Sequence, residues 1–247
     1  MSGAALTTGT IHGIGLGPGD PDLMSVRAHR LVTSARHVAF FRKQGRSGRA
    51  RGMVEGMLPA GVVEFAMEYP VTTEIPLAHP GYNAALSAFY TDCTAHLRSL
   101  AARGEDVVVL CEGDPFFYGS FMHLYTRLKD DVPVQVVPAT TGMSAAWTAS
   151  GRPITWGDDV LSVLMATLPE DELVRHMEAA DALVVMKIGR NIDKVRRALH
   201  RAGKYDDAWL VEYASMEGQA VQKLSQAEGR MTPYFSIVLV HGNGRRP

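Results

Sequence analysis

The chain has 247 residues, 46% of them hydrophobic, and 25 Lys and Arg against 26 Asp and Glu leave a formal net charge of −1. That length suits one large or two small soluble domains. The balanced charge argues against a broad nucleic-acid footprint, and no apolar run approaches membrane-spanning length.

The amino-terminal stretch MSGAALTTGT has neither a basic region nor a long apolar one, so no signal peptide is expected. Cys93 and Cys111 lack metal-ligand spacing and read as buried free thiols of a reducing cytosol, which makes a cytoplasmic protein the expectation. Nine histidines are scattered without an H-E-x-x-H or a C-x-x-C, so no metal site is expected. Neither a G-x-S-x-G elbow nor a G-x-x-x-x-G-K-[ST] loop is present, which weakens hydrolase and NTPase readings.

In chain order, Thr10 to Leu16 reads as a strand running into Gly15-Leu16-Gly17-Pro18-Gly19-Asp20-Pro21. The glycines allow close backbone approach to a ligand. The order is not G-x-G-x-x-G, and Pro18 removes a donor where a phosphate would want one, so a pyrophosphate cradle is disfavoured. Ser25 caps a helix whose Ala28, Leu31, Val32 and Ala35 share a face. After a strand at His37 to Phe41 come Arg42, Lys43, Arg46, Arg49 and Arg51, five cations with no acid among them. Such a run is usually a solvated, mobile loop, and alternatively a docking surface for a polyanion. Glu64 to Pro80 reads as a loop or edge segment, and Tyr82 to Arg103 as an amphipathic helix with Phe89, Cys93 and Leu97 on its stripe.

Val107 to Leu110 is an uninterrupted apolar run, the mark of a parallel strand buried on both faces. It stops at Glu112-Gly113-Asp114-Pro115, and a helix opens after Gly119-Ser120. Ligands bind at the carboxyl ends of such strands, and here a carboxylate lies beside Phe116, Phe117 and Tyr118. Taken alone, an ordinary turn with a capping Asp accounts for it better. Val134 to Val137 reads as another buried strand, followed by Pro138 to Gly142 and a helix from Met143 that Thr141 could cap.

Gly151-Arg152-Pro153 looks like a break before a second unit. Strands are expected at Val160 to Ala166, Ala182 to Ile188, Trp209 to Tyr213 and Phe235 to His241, with helices from Glu170 and Ile192. The stretch Gly218 to Arg230 reads as a return in a hairpin, which makes a mixed sheet the expectation. The pairs Asp158-Asp159 and Asp206-Asp207 read as caps, and Met186 as a strand-end residue able to reach a cleft.

Taken together, GIGLGPGDP from Gly13, CEGDPFFYGS from Cys111 and PATTGMSAA from Pro138 resemble the tetrapyrrole methylases, the S-adenosylmethionine-dependent enzymes of cobalamin and siroheme synthesis. The resemblance spans nearly the whole chain. It is strongest to the branch that methylates the C-20 meso carbon of a reduced tetrapyrrole, a likeness that Tyr69-Pro70-Val71-Thr72 shares.

The resemblance implies a two-domain α/β fold, with a first domain over 1–138 and a second over 139–247. It implies S-adenosylmethionine bound folded in the cleft between them, S-adenosylhomocysteine as product, and a homodimer. The cofactor contacts it implies are Pro18, Gly113, Asp114, Phe117, Thr141, Gly142, Met186 and Ala214. Ala139 departs from the family pattern, where glycine is common. Glu112, Tyr118 and Asp20 are candidates for a base that removes the meso proton, and Arg42, Lys43, Arg46 and Arg49 for contacts to the substrate's carboxylates. Alternatives are the same position on a cobalt-containing substrate, another ring carbon, an rRNA or protein methylase of the same fold, and a non-catalytic ligand-binding protein.

Overall fold

A computed structural model describes residues 8–70 and 80–245. The amino-terminal heptad and Val71-Thr72 lie outside the described residues, as does most of the stretch from Glu64 to Pro80 beyond Pro70. The chain forms two compact units, Met1–Thr141 and Gly142–Pro247.

The first unit holds five strands: β1 (Ile11–Gly15), β2 (His37–Lys43), β3 (Val63–Tyr69), β4 (Val107–Cys111) and β5 (Val134–Val137). They lie in the order β3-β2-β4-β1-β5, and every pair is parallel. Helices α1 (Val26–Thr33), α2 (Arg49–Met53), α3 (Pro80–Ala102) and α4 (Phe121–Leu128) join them.

The run Val107–Cys111 is the middle strand, and all five of its residues are buried because both sheet faces are covered. Its period of two sends Val107, Val109 and Cys111 into a core with Leu97 of α3 and Leu124 of α4. Val108 and Leu110 enter a second core with Ala28 and Val32 of α1 and Ala50 of α2. The Ser25 hydroxyl accepts from Ala28 N at 3.1 Å and starts α1 as its type predicts. Both cysteines are free and buried.

Two sequence expectations are corrected here. Val134–Val137 is an edge strand, only half-buried, and its exposed Gln135 accepts a hydrogen bond from Arg27 Nη2 at 2.7 Å. The cationic run is not one solvated loop. Arg42 and Lys43 end β2, Arg49 and Arg51 lie in α2, and acids remote in sequence meet some of them. Arg42 Nε donates to Glu68 Oε1 at 2.8 Å, and Arg51 bonds Glu64 and Glu55.

The second unit begins with α5 (Gly142–Ala149) and continues through β6 (Leu161–Met165), α6 (Glu170–Glu178), β7 (Ala182–Met186), α7 (Ile192–Arg201), β8 (Ala208–Glu212), β9 (Ala220–Lys223) and β10 (Ser236–Val240). The break read at Gly151 therefore falls inside this unit, where Gly151 has φ +66° just beyond α5. The sheet order is β6-β7-β10-β8-β9. Only β6 and β7 are parallel; β10 runs antiparallel to β7 and β8, and β9 returns against β8 as the expected hairpin. Leu173, Val195, Leu199 and Leu210 build the core under α6 and α7.

Candidate active site

In the first unit, three loops meet where β1, β4 and β5 end. Gly113 N donates to Gly17 O at 2.8 Å and Leu16 N to Cys111 O at 2.9 Å, so the loops after β1 and β4 are zipped backbone to backbone. A Cβ on Gly15 would lie 2.5 Å from Ala139 Cβ, 2.7 Å from Gly113 O and 2.9 Å from Pro115 Cδ. Only glycine fits at that crossing. Ala139, the departure from the family pattern, is accommodated by the bare Cα of Gly15 beneath it.

Asp114 holds the same junction. Its Oδ1 accepts from Phe116 N at 2.8 Å, the capping contact that sequence alone favoured, and its Oδ2 accepts from Ala139 N at 3.0 Å, 25 residues away. One carboxylate thus fixes the shape of its own turn and ties it to the loop after β5. Each oxygen retains a lone pair for a ligand. Pro18 is buried in this junction, Phe117 is half-buried, and Tyr118 is exposed with φ +54°.

The candidate bases separate. The Asp20 side chain caps the short 3-10 turn Pro21–Leu23 by accepting from Asp22 N at 2.9 Å, which is a structural task. Glu112 leaves the middle strand beside the start of α2. Its residue surface is open to solvent, yet crowding around the carboxyl pushes its pKa up, opposed by the Arg49 charge and the Ala50 N–H. Arg49 therefore faces a carboxylate from the site turn. On the far side of that turn, the Tyr69 hydroxyl and Ser120 Oγ are hydrogen-bonded, and Tyr90 joins them.

In the second unit, Met186 ends β7, Ala214 lies just beyond β8, and Gly142 starts α5, where an added Cβ would lie 3.9 Å from Ile237 Cδ1 of β10. Ser236 pairs with Glu212 and Val238 with Val185, so these three residues share one end of the sheet. The predicted cofactor residues thus fall into two groups, one per unit, each at the carboxyl ends of strands. Thr141 closes the first unit, directly before Gly142.

Sequence reasoning missed how the second group is held. Lys187, Tyr213 and Ser215 have φ of +54°, +52° and +59°, and none is glycine. Left-handed residues of this kind persist where surrounding bonds over-determine them, and they concentrate at ligand clamps. Here Tyr213 N donates to Phe235 O at 2.9 Å, and Ser215 N to Gln219 Oε1 at 2.7 Å. The Ser215 hydroxyl is buried without a partner beside Ala214. Buried Glu212, one residue before this loop, accepts both arms of the Arg230 guanidinium, Nη1 at 2.8 Å. No residue type marks these positions in advance; only a basic residue downstream of a strand-ending Glu hints at the pair.

Among the described residues no helix is long and apolar enough to cross a membrane. The glycine junction of the first unit suits a ligand bound through backbone groups.

A family model described as Tetrapyrrole (Corrin/Porphyrin) Methylases matches residues 10–228. The chain is 44% identical over 247 residues to a precorrin-2 C(20)-methyltransferase of Sinorhizobium sp, covering 100% of both. It is 25% identical over 238 residues to a cobalt-precorrin-2 C(20)-methyltransferase of Salmonella typhimurium, covering 94% of this chain and 96% of that one. Its fold matches the solved uroporphyrin-III C-methyl transferase from Thermus thermophilus complexed with S-adenyl homocysteine, with a TM-score of 0.65 at 22% identity over 94% of this chain and 97% of the other. With matching motifs, fold and full-length relatives, the chain belongs to the tetrapyrrole (corrin/porphyrin) methylase family.

Proposed function

We propose that this chain transfers a methyl group from S-adenosylmethionine to the C-20 meso carbon of precorrin-2, giving precorrin-3A for corrin synthesis. The carrying observation is the contrast between the two C-20 relatives: 44% identity to the enzyme named for precorrin-2, against 25% to the one named for the cobalt form. The cofactor supplies a methyl group already activated on a sulfonium. The protein's contribution is then mainly to position the meso carbon in line with it.

Pro18, Gly113, Asp114, Phe117 and Thr141 in the first unit, with Gly142, Met186 and Ala214 in the second, are the residues assigned to hold the cofactor. Asp114 and Gly15 keep the first group in register, and the Glu212–Arg230 pair does so for the second. Glu112 is the preferred acceptor of the meso proton. Its surroundings raise the pKa of its carboxyl, which brings it nearer working pH. Arg46 suits the substrate's carboxylates better than Arg42, whose guanidinium is neutralised by Glu68. A cytoplasmic homodimer completes the reading.

The test is a paired turnover without oxygen: protein and S-adenosylmethionine with precorrin-2, and separately with its cobalt-containing counterpart, followed by mass spectrometry. One added methyl on the metal-free substrate alone supports the proposal. Methylation of the cobalt form alone would move the chain to the other branch. No methyl on either, with S-adenosylhomocysteine still bound, would overturn the substrate.

A further inference from the structure

The end of the second sheet opposite Met186 and Ala214 carries a polar cluster that methyl transfer does not use. Trp209 is the second residue of β8, and His241 directly follows the antiparallel β10. Their rings meet edge to face with centroids 6.5 Å apart. Lys223 Nζ stands 4.9 Å and Arg152 Cζ 5.7 Å from the centre of the Trp209 ring. Lys223 also donates to the backbone oxygen of Asp206 at 2.8 Å. Among the described residues neither cation has a carboxylate partner. His241 is 5% exposed, and both its Nδ1 and Trp209 Nε1 are buried without a hydrogen-bond partner. Two buried ring nitrogens left without partners are costly unless something meets them.

The hydrogen bonds also settle which kind of group each nitrogen is. Ser150 has one hydroxyl proton and donates it to Trp147 O at 2.7 Å. Toward His241 Nε2, 2.9 Å away, the Ser150 oxygen can only accept. The proton of a neutral His241 ring is therefore on Nε2, and Nδ1 presents a bare lone pair. Burial and the charges of Arg152 and Lys223 push the His241 pKa down to about 4, so the ring is neutral at pH 7. The nearby acid, Asp159, has its Oδ2 occupied by Trp156 N and Gly244 N. The cluster thus offers two cations and one N–H donor for an anion, together with one acceptor that asks the same anion for a proton.

We propose that Arg152, Trp209, Lys223 and His241 form a binding site for a protonated oxyanion of the phosphate type. Its oxygens accept from Trp209 Nε1 and the two cations while its own O–H donates to His241 Nδ1. Inorganic phosphate keeps such a proton at pH 7, whereas a phosphomonoester, with a second pKa of about 6, has mostly lost it there and regains it toward pH 6. Sulfate has the same shape without it, and leaves Nδ1 facing a bare oxygen.

The test uses the full chain labelled with 15N. The Trp209 indole resonance, assigned by its loss in Trp209→Phe, is followed at pH 7 and constant ionic strength while sodium phosphate, glycerol phosphate or sodium sulfate is added. Calorimetry runs in parallel. The expected result is saturable binding of phosphate with sulfate about tenfold weaker, the equivalent of one lost buried hydrogen bond. The gap narrows at pH 5, where the sulfate-bound form can take a proton onto His241. Arg152 is exposed, so Arg152→Ala should fold, and it should weaken phosphate roughly fivefold or more. At pH 6, where both ligands carry the proton, tighter glycerol phosphate would identify a phosphomonoester as the occupant, and tighter phosphate the free ion. Equal affinities for phosphate and sulfate at pH 7 would overturn the proton-donating contact. No saturable shift, or a shift unaltered by Arg152→Ala, would overturn the site.

Discussion

The two units solve one problem, holding irregular loops rigid at the ends of strands, by different means. In the first unit every strand is parallel, so all the carboxyl ends lie at one edge and three loops crowd together. Crowding is met by omission: Gly15 has no Cβ because Ala139, Gly113 and Pro115 fill that space. In the second unit β10 runs between β7 and β8 in the opposite sense, so the loops after β7 and β8 are separated by the amino end of another strand. There the backbone is bent by side-chain clamps, with Glu212 on Arg230 and Gln219 on Ser215 N. The first unit should therefore fail when an atom is added, and the second when a partner is removed.

The largest effect is expected from Arg230→Ala. It strands the Glu212 carboxylate, whose side chain is 7% exposed, without either arm of its fork. The predicted loss is about 3 kcal/mol in denaturant unfolding, and Glu212→Gln in the same chain should recover part of it, because a neutral amide no longer needs a cation. If the double variant is as unstable as Arg230→Ala alone, the pair is not the clamp described.

Gly15→Ala comes next. The added methyl has nowhere to go, so about 2 kcal/mol of stability and most methyl transfer should be lost. Gly113→Ala is the matched control. Its φ is +63°, but nothing lies within 4 Å of the position, so it should cost only the left-handed strain, about 1 kcal/mol. Equal costs at the two positions would show that crowding is not the reason for glycine in this junction. Asp114→Ala tests the same junction by removal. It leaves Phe116 N and Ala139 N unpaired, with an expected loss of about 1 kcal/mol and a raised KM for S-adenosylmethionine. An unchanged KM would mean that the tie does not shape the cofactor loop.

The contrast also explains what could be read from residues alone. The buried runs Val107–Cys111 and Ala182–Met186 stand out because strands covered on both faces admit no polar residue. The glycine junction is visible because a missing side chain is itself a sequence feature. Clamps are not: Lys187, Tyr213 and Ser215 carry no mark of a left-handed backbone, since their conformation comes from neighbours distant in the chain. The cationic run misled for a similar reason. Arg42 meets Glu68 across parallel strand pairing, and Arg51 of α2 meets Glu64 of β3, contacts that no local window contains. Val134–Val137 reads as interior from its apolar residues, although Gln135 marks an exposed face.

The smallest effect concerns acid, and it too should divide the units. His241 in the second unit has a folded pKa of about 4 against 6.5 in a free chain, so between those values the unfolded chain binds more protons. Stability is then fully present above about pH 6.5 and falls as pH drops toward 4. From pH 7 to pH 5.5 the expected loss is about 1 kcal/mol. In the first unit His12 is also lowered, by burial with Arg27 adding to it and Asp106 opposing. Glu112 works against that loss. Its raised pKa means the folded form holds its proton more tightly than the unfolded one, so acid favours folding through that group. Amide exchange at pH 7 and 5.5 should show β8 and β10 losing more protection than β1 and β4. His241→Phe should remove the difference in the second sheet, because an apolar ring has no proton to gain. Equal losses in both sheets, or losses that survive that substitution, would mean that the buried imidazole does not set the acid limit of its unit.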